Sequence, residues 1–183
     1  FMEILIIIIL LIILLLIWVM STRQKLTVMD ENVSNSMNQI GIQLSPRFDS
    51  LFALLDLVRE YDSKEAQALL DMARNGRRTI TAKSTPGEVV AQESIISETL
   101  ERVAGVAEKC PELKTDINYG KCINAVECYG KMVRTSRLIY NDSVTKFNRA
   151  VRMIPASLIA GILGFHKKDY LVTGEEKSET IRF

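Results

Sequence analysis

An unbroken apolar run near the start of the sequence constrains the fold most strongly. Ile4 to Met20, ILIIIILLIILLLIWVM, contains no charge, glycine or proline. As an α-helix the run spans about 25 Å, slightly less than the roughly 30 Å hydrocarbon core of a bilayer. Modest bilayer thinning or the flanking Phe1 and Met2 closes that gap. Trp18 stands where an interfacial aromatic residue is expected. The run predicts an uncleaved transmembrane anchor over residues 1–20.

Two alternatives to an anchor are a cleaved signal peptide and a buried core helix. A signal peptide is disfavoured because no basic residue precedes the run and WVMSTRQK lacks a small-x-small cleavage pattern. The run also exceeds the usual length of a signal-peptide apolar region. A buried core helix rarely lacks any polar face. The anchor is therefore the favoured prediction.

The charges that flank the run predict its orientation. Glu3 precedes the run, whereas Arg23 and Lys25 follow it. The positive-inside rule then predicts a single-pass protein of the cell (plasma or inner) membrane. Its short N-terminus would lie outside and its remaining residues in the cytoplasm. Cys110, Cys122 and Cys128 form an odd set without a C-x-x-C pair, which agrees with a compartment where disulfides are not used.

The segment after the run shows helical periodicity. Val33, Met37, Ile40 and Leu44 are spaced by four, three and four residues. We expect the anchor helix to continue through them and to end near Pro46, because the residue before a proline is disfavoured in the α region. A second helix is predicted over residues 47–75, stopping at Asn75-Gly76. Its inner face would comprise Leu51, Leu54, Val58, Tyr61, Ala68 and Met72.

Two further helices are predicted downstream. The turn sequence STPGE, residues 84–88, opens a third helix over about 87–109, with Ile96, Leu100, Val103 and Ala107 inward. CPELK at 110–114 is read as a break. A fourth helix over about 116–154 carries an apolar seam that alternates by four and three, as in left-handed bundles. The seam comprises Val126, Gly130, Val133, Arg137, Tyr140, Val144, Phe147, Val151 and Ile154.

Arg137 is the one charged residue on that seam. It could pair with a buried acid and fix the register of the helices, or extend to water at the end of the bundle. The second interpretation is favoured because long basic side chains commonly reach water in this way.

Together these patterns predict an all-α fold. An N-terminal transmembrane helix continues into an elongated antiparallel bundle of three to four long helices, followed by a short C-terminal helix. The predicted domains are the anchor at 1–20, the helical bundle at 21–170 and a polar tail at 171–183.

The residues offer little for catalysis. The single histidine, His166, lies beside two lysines, and no Glu-x-x-His motif or phosphate-binding loop is present. Cys122 and Cys128 are six residues apart and lack the partners of a zinc site. We therefore expect no catalytic residue, no metal, no cofactor and no small-molecule substrate. A net charge of +1 gives no reason to expect nucleic acid as a partner.

A second apolar segment, IPASLIAGILGF at 154–165, is too short to cross a bilayer. Pro155 should end the fourth helix, and the segment should form a short helix folded back on the bundle. Apolar surface left over would face lipid or a partner, although packing in the core is the favoured alternative. The candidate interaction surface comprises Leu158, Ile159, Ile162, Leu163 and Phe165.

Three stretches of the sequence resemble the LemA family of bacterial membrane proteins. The first is YNDSVTKFNRAVRMIPASLIAGILGFHKKDYL at 140–171, the second NQIGIQLSPRFDSLFALLDLV at 38–58, and the third GVAEKCPELK at 105–114. The matching positions are Tyr140, Asn141, Phe147, Asn148, Pro155, Ala160, Gly164, Phe165 and Tyr170, and upstream Gln39, Ile40, Gln43, Leu44, Arg47 and Asp49. The resemblance implies a single-pass membrane protein with a helical, largely cytoplasmic domain. It implies no catalytic residues.

Three functions follow as expectations. The first is a non-catalytic interaction or scaffold protein at the cell membrane. The second is a sensor or adaptor that relays helix movements to a partner, and the third, least favoured, is a membrane-associated hydrolase. The expected partners are the lipid bilayer and a protein partner or a second copy of the chain. The run has no small-x-x-x-small pattern for packing one anchor on another.

Overall fold

The computed structural model describes residues 2–172. These residues form helices and connecting segments and contain no β-strand, which confirms the all-α prediction. The helices are α1 (Met2–Val58), α2 (Ser63–Gly76), α3 (Pro86–Lys109), α4 (Pro111–Thr115), α5 (Ile117–Arg152) and α6 (Ser157–Ala160). Among the described helices, α1 alone is long and apolar enough to cross a bilayer.

The chain packs as two compact units. Of the described residues, the terminal unit comprises 2–34 and 141–170, and the central unit comprises 35–140 and 171–172. Both α1 and α5 contribute residues to each unit. The units are defined by packing. The domains predicted at 1–20, 21–170 and 171–183 stay a prediction.

Helix α1 continues from the apolar run to Val58. This confirms the prediction that the helix of the apolar run extends into the residues that follow it. The predicted break at Pro46 is wrong, because Pro46 lies inside the helix. Proline within a helix costs about 3 kcal/mol. The buried stripe on both sides of Pro46 offsets that cost, since each buried aliphatic or aromatic side chain contributes roughly 1.5–3 kcal/mol. The stripe comprises Ile40, Leu44, Phe48, Leu51, Leu54, Leu55 and Val58.

The predicted second helix over 47–75 is also wrong, because the chain leaves helical structure at residues 59–62. The Asp62 carboxylate accepts a hydrogen bond from the Glu65 backbone N–H at 3.0 Å and so caps α2. The break changes the phase of the inward face. Ala68, predicted inward, is exposed, and Met72 is half-buried. The buried residues of α2 are Ala66, Leu69, Leu70 and Ala73.

Helix α3 begins at the predicted turn. Thr85 and Glu88 form a capping box with Pro86 in the first turn, which satisfies the first backbone N–H groups of the helix. Leu100, predicted inward, is half-buried, while Ile96, Val103 and Ala107 are buried. The predicted break at 110–114 contains α4, a five-residue helix that buries Leu113. Helix α5 ends at Arg152, two residues before the predicted end.

The central unit is an up-down bundle of four helical segments. Arg102 on α3 contacts Glu65 at the start of α2, whereas Gln92 donates to the Gly76 carbonyl at its end. These contacts make α2 and α3 antiparallel. Tyr61, just after α1, donates to the Asp116 carboxylate at 3.4 Å. Arg47, earlier in α1, lies against Gly130 of α5, so α1 and α5 are antiparallel too.

The terminal unit pairs the rest of α1 with the end of α5, again antiparallel. Lys168, after α5, contacts Asp30 on α1 at 2.7 Å. Trp18 on α1 and Met153, just after α5, line the same pocket. Leu171, the first residue of the predicted polar tail, is fully buried. Residues 173–183 of that tail lie outside the described residues.

Candidate functional site

The end of α5 leads into an exposed apolar segment, residues 153–165. Met153 and Ile154 are exposed, and Leu158 and Ile162 are 70% and 85% exposed. Side chains of this size cost about 1.5–3 kcal/mol each when left in water instead of buried. A cluster of exposed apolar side chains indicates a surface that contacts something other than water.

The structure distributes the five predicted surface residues between two environments. Leu158 and Ile162 are exposed, whereas Ile159, Leu163 and Phe165 are half-buried. The Phe165 ring lies edge-on to the buried Phe147 ring, with centroids 6.3 Å apart. Helix α6 is a single turn of four residues. One side of the segment therefore packs on α5, and the other side stays uncovered.

Asn148 fixes the chain that returns after the apolar segment. Its side-chain amide donates to the Lys168 carbonyl at 2.9 Å and accepts from the Lys168 backbone N–H at 2.8 Å. Asn148 is buried, so both hydrogen bonds are shielded from water. The Lys168 ammonium lies over the Phe147 ring at 5.6 Å and pairs with Asp30. These contacts attach the segment to α1 and α5.

A pocket lies beside the apolar segment in the same unit. Its volume is about 420 Å³. On α1 it is lined by residues spaced on one helical face, Trp18, Thr22, Lys25, Leu26 and Met29. On α5 and just beyond, it is lined by Lys146, Arg149, Ala150, Met153 and residues 154–156. We call this pocket the basic pocket, because apolar walls meet three cationic side chains there.

The charged residues that line the basic pocket are all basic. Residues 20–29 and 143–165 contain five basic side chains and no acidic one. Lys146 pairs with Asp142, one turn earlier on α5, at 2.7 Å. The five basic side chains are Arg23, Lys25, Lys146, Arg149 and Arg152. Of these five, only Arg23 and Lys25 were singled out from the sequence, as the charges that predict the orientation of the anchor. The i, i+3, i+6 spacing of the other three on one face of a helix was the signal that could have found them.

The central unit holds a separate cluster of charges. Glu93 on α3 lies 3.7 Å from Arg47 on α1 and 3.2 Å from Arg137 on α5. The three side chains are 16%, 13% and 11% exposed. Burial lowers the pKa of the Arg47 guanidinium, and the Glu93 carboxylate opposes that shift. The favoured interpretation of Arg137 as water-seeking is wrong, and the alternative of pairing with a buried acid is confirmed.

The Arg47 Nε atom is buried and has no hydrogen-bond partner within residues 2–172. Gly130 leaves room for the guanidinium of Arg47, since a Cβ there would lie 3.0 Å from its Nη2. Arg47 and Glu93 thus join three helices at one level of the bundle, which fixes their register.

The residues with chemical reactivity are dispersed. Cys110 and Cys122 are half-buried, and Cys128 is exposed on α5. Burial, and secondarily the Asp116 carboxylate, raises the pKa of the Cys122 thiol. That shift lowers its thiolate fraction near neutral pH. His166 is exposed. Within residues 2–172, no three His, Cys, Asp or Glu side chains are grouped so that they could hold a metal ion.

Comparison with known proteins identifies the family. A search of curated proteins finds no match to this chain. The model of the LemA family matches residues 36–183, most of the chain, including every residue of α2 to α6. Residues on which the resemblance rested lie at the contacts just described, Arg47 in the charge cluster and Phe147 and Asn148 behind the apolar segment. The chain therefore belongs to the LemA family.

Proposed function

We propose that this protein is a non-catalytic membrane-anchored protein whose helical bundle serves as an interaction platform. The observation that carries the proposal is the exposure of the side chains in the apolar run. Every side chain from Ile4 to Ile17 is 48–64% exposed, in a helix that continues without a break into the central unit. Leaving these fourteen aliphatic side chains in water costs on the order of 10 kcal/mol. A bilayer removes that cost, whereas no contact within residues 2–172 does.

The terminal unit supports the same membrane placement. Trp18 is half-buried at the end of the run and lines the basic pocket together with Ile154 and Pro155. If Trp18 lies at the membrane interface, the exposed apolar segment lies at the same depth. Its exposed side chains, Ile154, Leu158 and Ile162, then rest in the interfacial layer beside α1. Arg23 and Lys25 favour a cytoplasmic side for the residues that follow the run.

The bundle supplies surfaces for a protein partner. Leu138 and Ile139 are neighbouring apolar residues on α5 and both are exposed. Ile42 on α1 is exposed as well. Exposed aliphatic side chains on rigid helices suit a helical partner or a second copy of the chain. The non-catalytic part of the proposal rests on the sequence, which offers one histidine and no phosphate-binding loop.

Alkaline extraction of membranes tests the anchor. The wild-type chain should stay with the membrane at pH 11. An Ile9→Lys/Ile12→Lys variant should be released, because each lysine at the centre of a transmembrane helix costs about 2.5–3.5 kcal/mol. The matched control is Gln24→Lys/Val28→Lys, which adds the same charge to exposed positions of α1 beyond the run and should stay bound. Release of the wild-type chain would refute the anchor.

Site-directed photo-crosslinking tests the interaction platform. A photoreactive residue at Leu138 should give a discrete protein adduct in native membranes. The same probe at Glu127, an exposed polar position of α5, serves as the control. Adducts with lipid alone at both positions would count against a protein partner.

A sensor or adaptor is the second candidate, and the continuity of α1 favours it. A single helix, Met2–Val58, contains the apolar run and the first segment of the bundle, so a rotation of one part is transmitted to the other. Disulfide cross-linking of cysteines placed along residues 20–30 would detect such a rotation if the chain self-associates. A pattern that stays constant under all stimuli would exclude this mechanism.

A further inference from the structure

We propose that the basic pocket binds the headgroup of an anionic phospholipid of the bilayer. This inference rests on the proposed membrane anchor and deepens it. The pocket has the size of sites that hold small ligands, about 420 Å³. Its walls combine apolar and cationic side chains, the two properties that match the acyl region and the phosphate of such a lipid.

The height of the pocket along α1 matches the headgroup layer. Lys25 lies five residues beyond the end of the apolar run, about 7 Å along the helix. The polar layer on each side of a bilayer is roughly 5–7 Å thick. Trp18, seven residues earlier and on the same wall of the pocket, lies at the hydrocarbon boundary. A phosphate next to Lys25 therefore leaves the acyl chains beside Trp18.

Cationic side chains from both α1 and α5 line the pocket. Lys25 enters the pocket from α1, and Lys146 and Arg149 enter it from α5. Lys146 is partly neutralised by Asp142, at 2.7 Å. Lys25 and Arg149 have no salt bridge to an acidic side chain within residues 2–172. A pair of cations without an acid counterpart favours an anionic ligand over a zwitterionic one.

The apolar segment provides the second half of the site. Met153 and residues 154–156 also line the pocket, and Ile154 is exposed. An acyl chain lying along Met153 and Ile154 would cover apolar surface that the protein leaves open. Without a lipid, the side chains of Met153 and Ile154 stay exposed to water.

Quenching of Trp18 by brominated lipids provides the test, since Trp18 is the only tryptophan of the chain. The full chain is inserted into nanodiscs of phosphatidylcholine and phosphatidylglycerol, and bromine is placed on the acyl chains of one lipid at a time. We expect Trp18 to be quenched several-fold more effectively by brominated phosphatidylglycerol at equal mole fraction. The Lys25→Gln/Arg149→Gln variant should reduce that preference roughly tenfold or to none.

Three variants separate a built site from general surface charge. Lys121→Gln/Lys131→Gln removes two exposed cations from the central unit and should leave the preference unchanged. Lys25→Arg/Arg149→Lys keeps both charges and should preserve it. Ala150→Phe fills the pocket without changing charge and should abolish it. Circular dichroism identifies any variant that fails to fold.

The outcomes distinguish this inference from the anchor. If the wild-type chain inserts and both lipids quench Trp18 equally, the anchor stands and the lipid site is wrong. If the chain does not insert, both proposals fail. A preference that survives Ala150→Phe or Lys25→Gln/Arg149→Gln overturns the pocket as its origin. Glycerol 3-phosphate in the buffer should not compete, and a loss of preference on its addition would overturn the assignment to a bilayer lipid.

Discussion

At the residue scale, Glu93 is the acid shared by two largely buried arginines. Removing one partner of a buried ion pair costs about 3–5 kcal/mol, because the remaining charge stays desolvated. Here the loss would leave Arg47 and Arg137 as like charges. Replacing all members of such a cluster with apolar residues of similar volume is often neutral. The cluster therefore selects a register of helices more than it adds stability.

We expect Glu93→Ala to lower the free energy of unfolding by about 3–5 kcal/mol. Urea titration of the full chain in detergent, followed by circular dichroism, measures the change. The matched control is Asp56→Ala, which breaks an exposed pair with Arg59 and should cost less than about 1 kcal/mol. Equal losses in the two variants would show that the cluster is screened by water.

Asn148 is the second residue whose role is local and testable. We expect Asn148→Ala to release the chain around Lys168, because its backbone N–H and carbonyl both lose their hydrogen-bond partner. Hydrogen exchange at the Lys168 amide should accelerate by a factor of about 10–100, the equivalent of roughly 1–3 kcal/mol of lost protection. Exchange at Val133, buried on α5 in the central unit, serves as the internal reference. An unchanged Lys168 amide would contradict the assignment.

At the element scale, helix continuity depends on tertiary packing. The proline rule predicted a break at Pro46, yet α1 continues because its buried stripe outweighs the local cost. The break that does occur, at 59–62, carried a sequence signal in Asp62-Ser63-Lys64-Glu65, an N-cap pattern with an acid three residues on. Periodicity thus predicted most of the inward positions of α1, α3 and α5. Ile154, predicted on the inward seam, is wrong, because it lies beyond the end of α5 and is 80% exposed. The proline rule misplaced the boundary between α1 and α2.

Gly41 shows how closely two elements approach. A Cβ at this position would meet the carbonyl oxygen of Ile80 and lie 2.9 Å from its carbonyl carbon. We expect Gly41→Ala to destabilise the protein by about 1–3 kcal/mol, although alanine is the better helix former. Gly105→Ala on α3 is the control, since no atom lies within 4 Å of a Cβ there.

The control variant should change stability in the opposite direction, by up to about 1 kcal/mol, because alanine replaces glycine in a helix without a clash. Thermal unfolding of both variants shows whether each substitution raises or lowers the stability of the protein. Stabilisation by Gly41→Ala would mean that α1 and the segment at Ile80 separate easily. The sequence showed Gly41 as one glycine in a helical stretch. Glycine is needed at this position because the backbone of Ile80 lies against it. That contact is between residues far apart in the sequence, so helical periodicity cannot predict it.

At the scale of the whole molecule, the apolar run and the family were readable from the sequence, and the basic pocket was not. The run is one contiguous stretch, Ile4 to Met20, so composition alone identifies it. The pocket combines α1 with residues 146–156, more than 100 residues later in the chain. Helix length and register decide which residues meet there, and small errors in helix ends change the answer. The exposed apolar segment lines the basic pocket together with Trp18 of the apolar run.

The measurement that tests the central claim most directly is the labelling of cysteines on both sides of the run with a membrane-impermeant thiol reagent. Glu3→Cys, in a background without native cysteines, reports on one side. In a second variant, Cys128, which is exposed on α5, is kept as the single cysteine and reports on the other side. Cys128 is preferable to Cys122, whose thiol pKa is raised by burial.

In intact cells, we expect prompt labelling of Glu3→Cys and labelling of Cys128 only after the membrane is permeabilised. The inverse pattern would reverse the orientation and keep the crossing. Labelling of both cysteines in intact cells, or of neither until permeabilisation, would contradict a membrane-spanning α1 and with it the central claim.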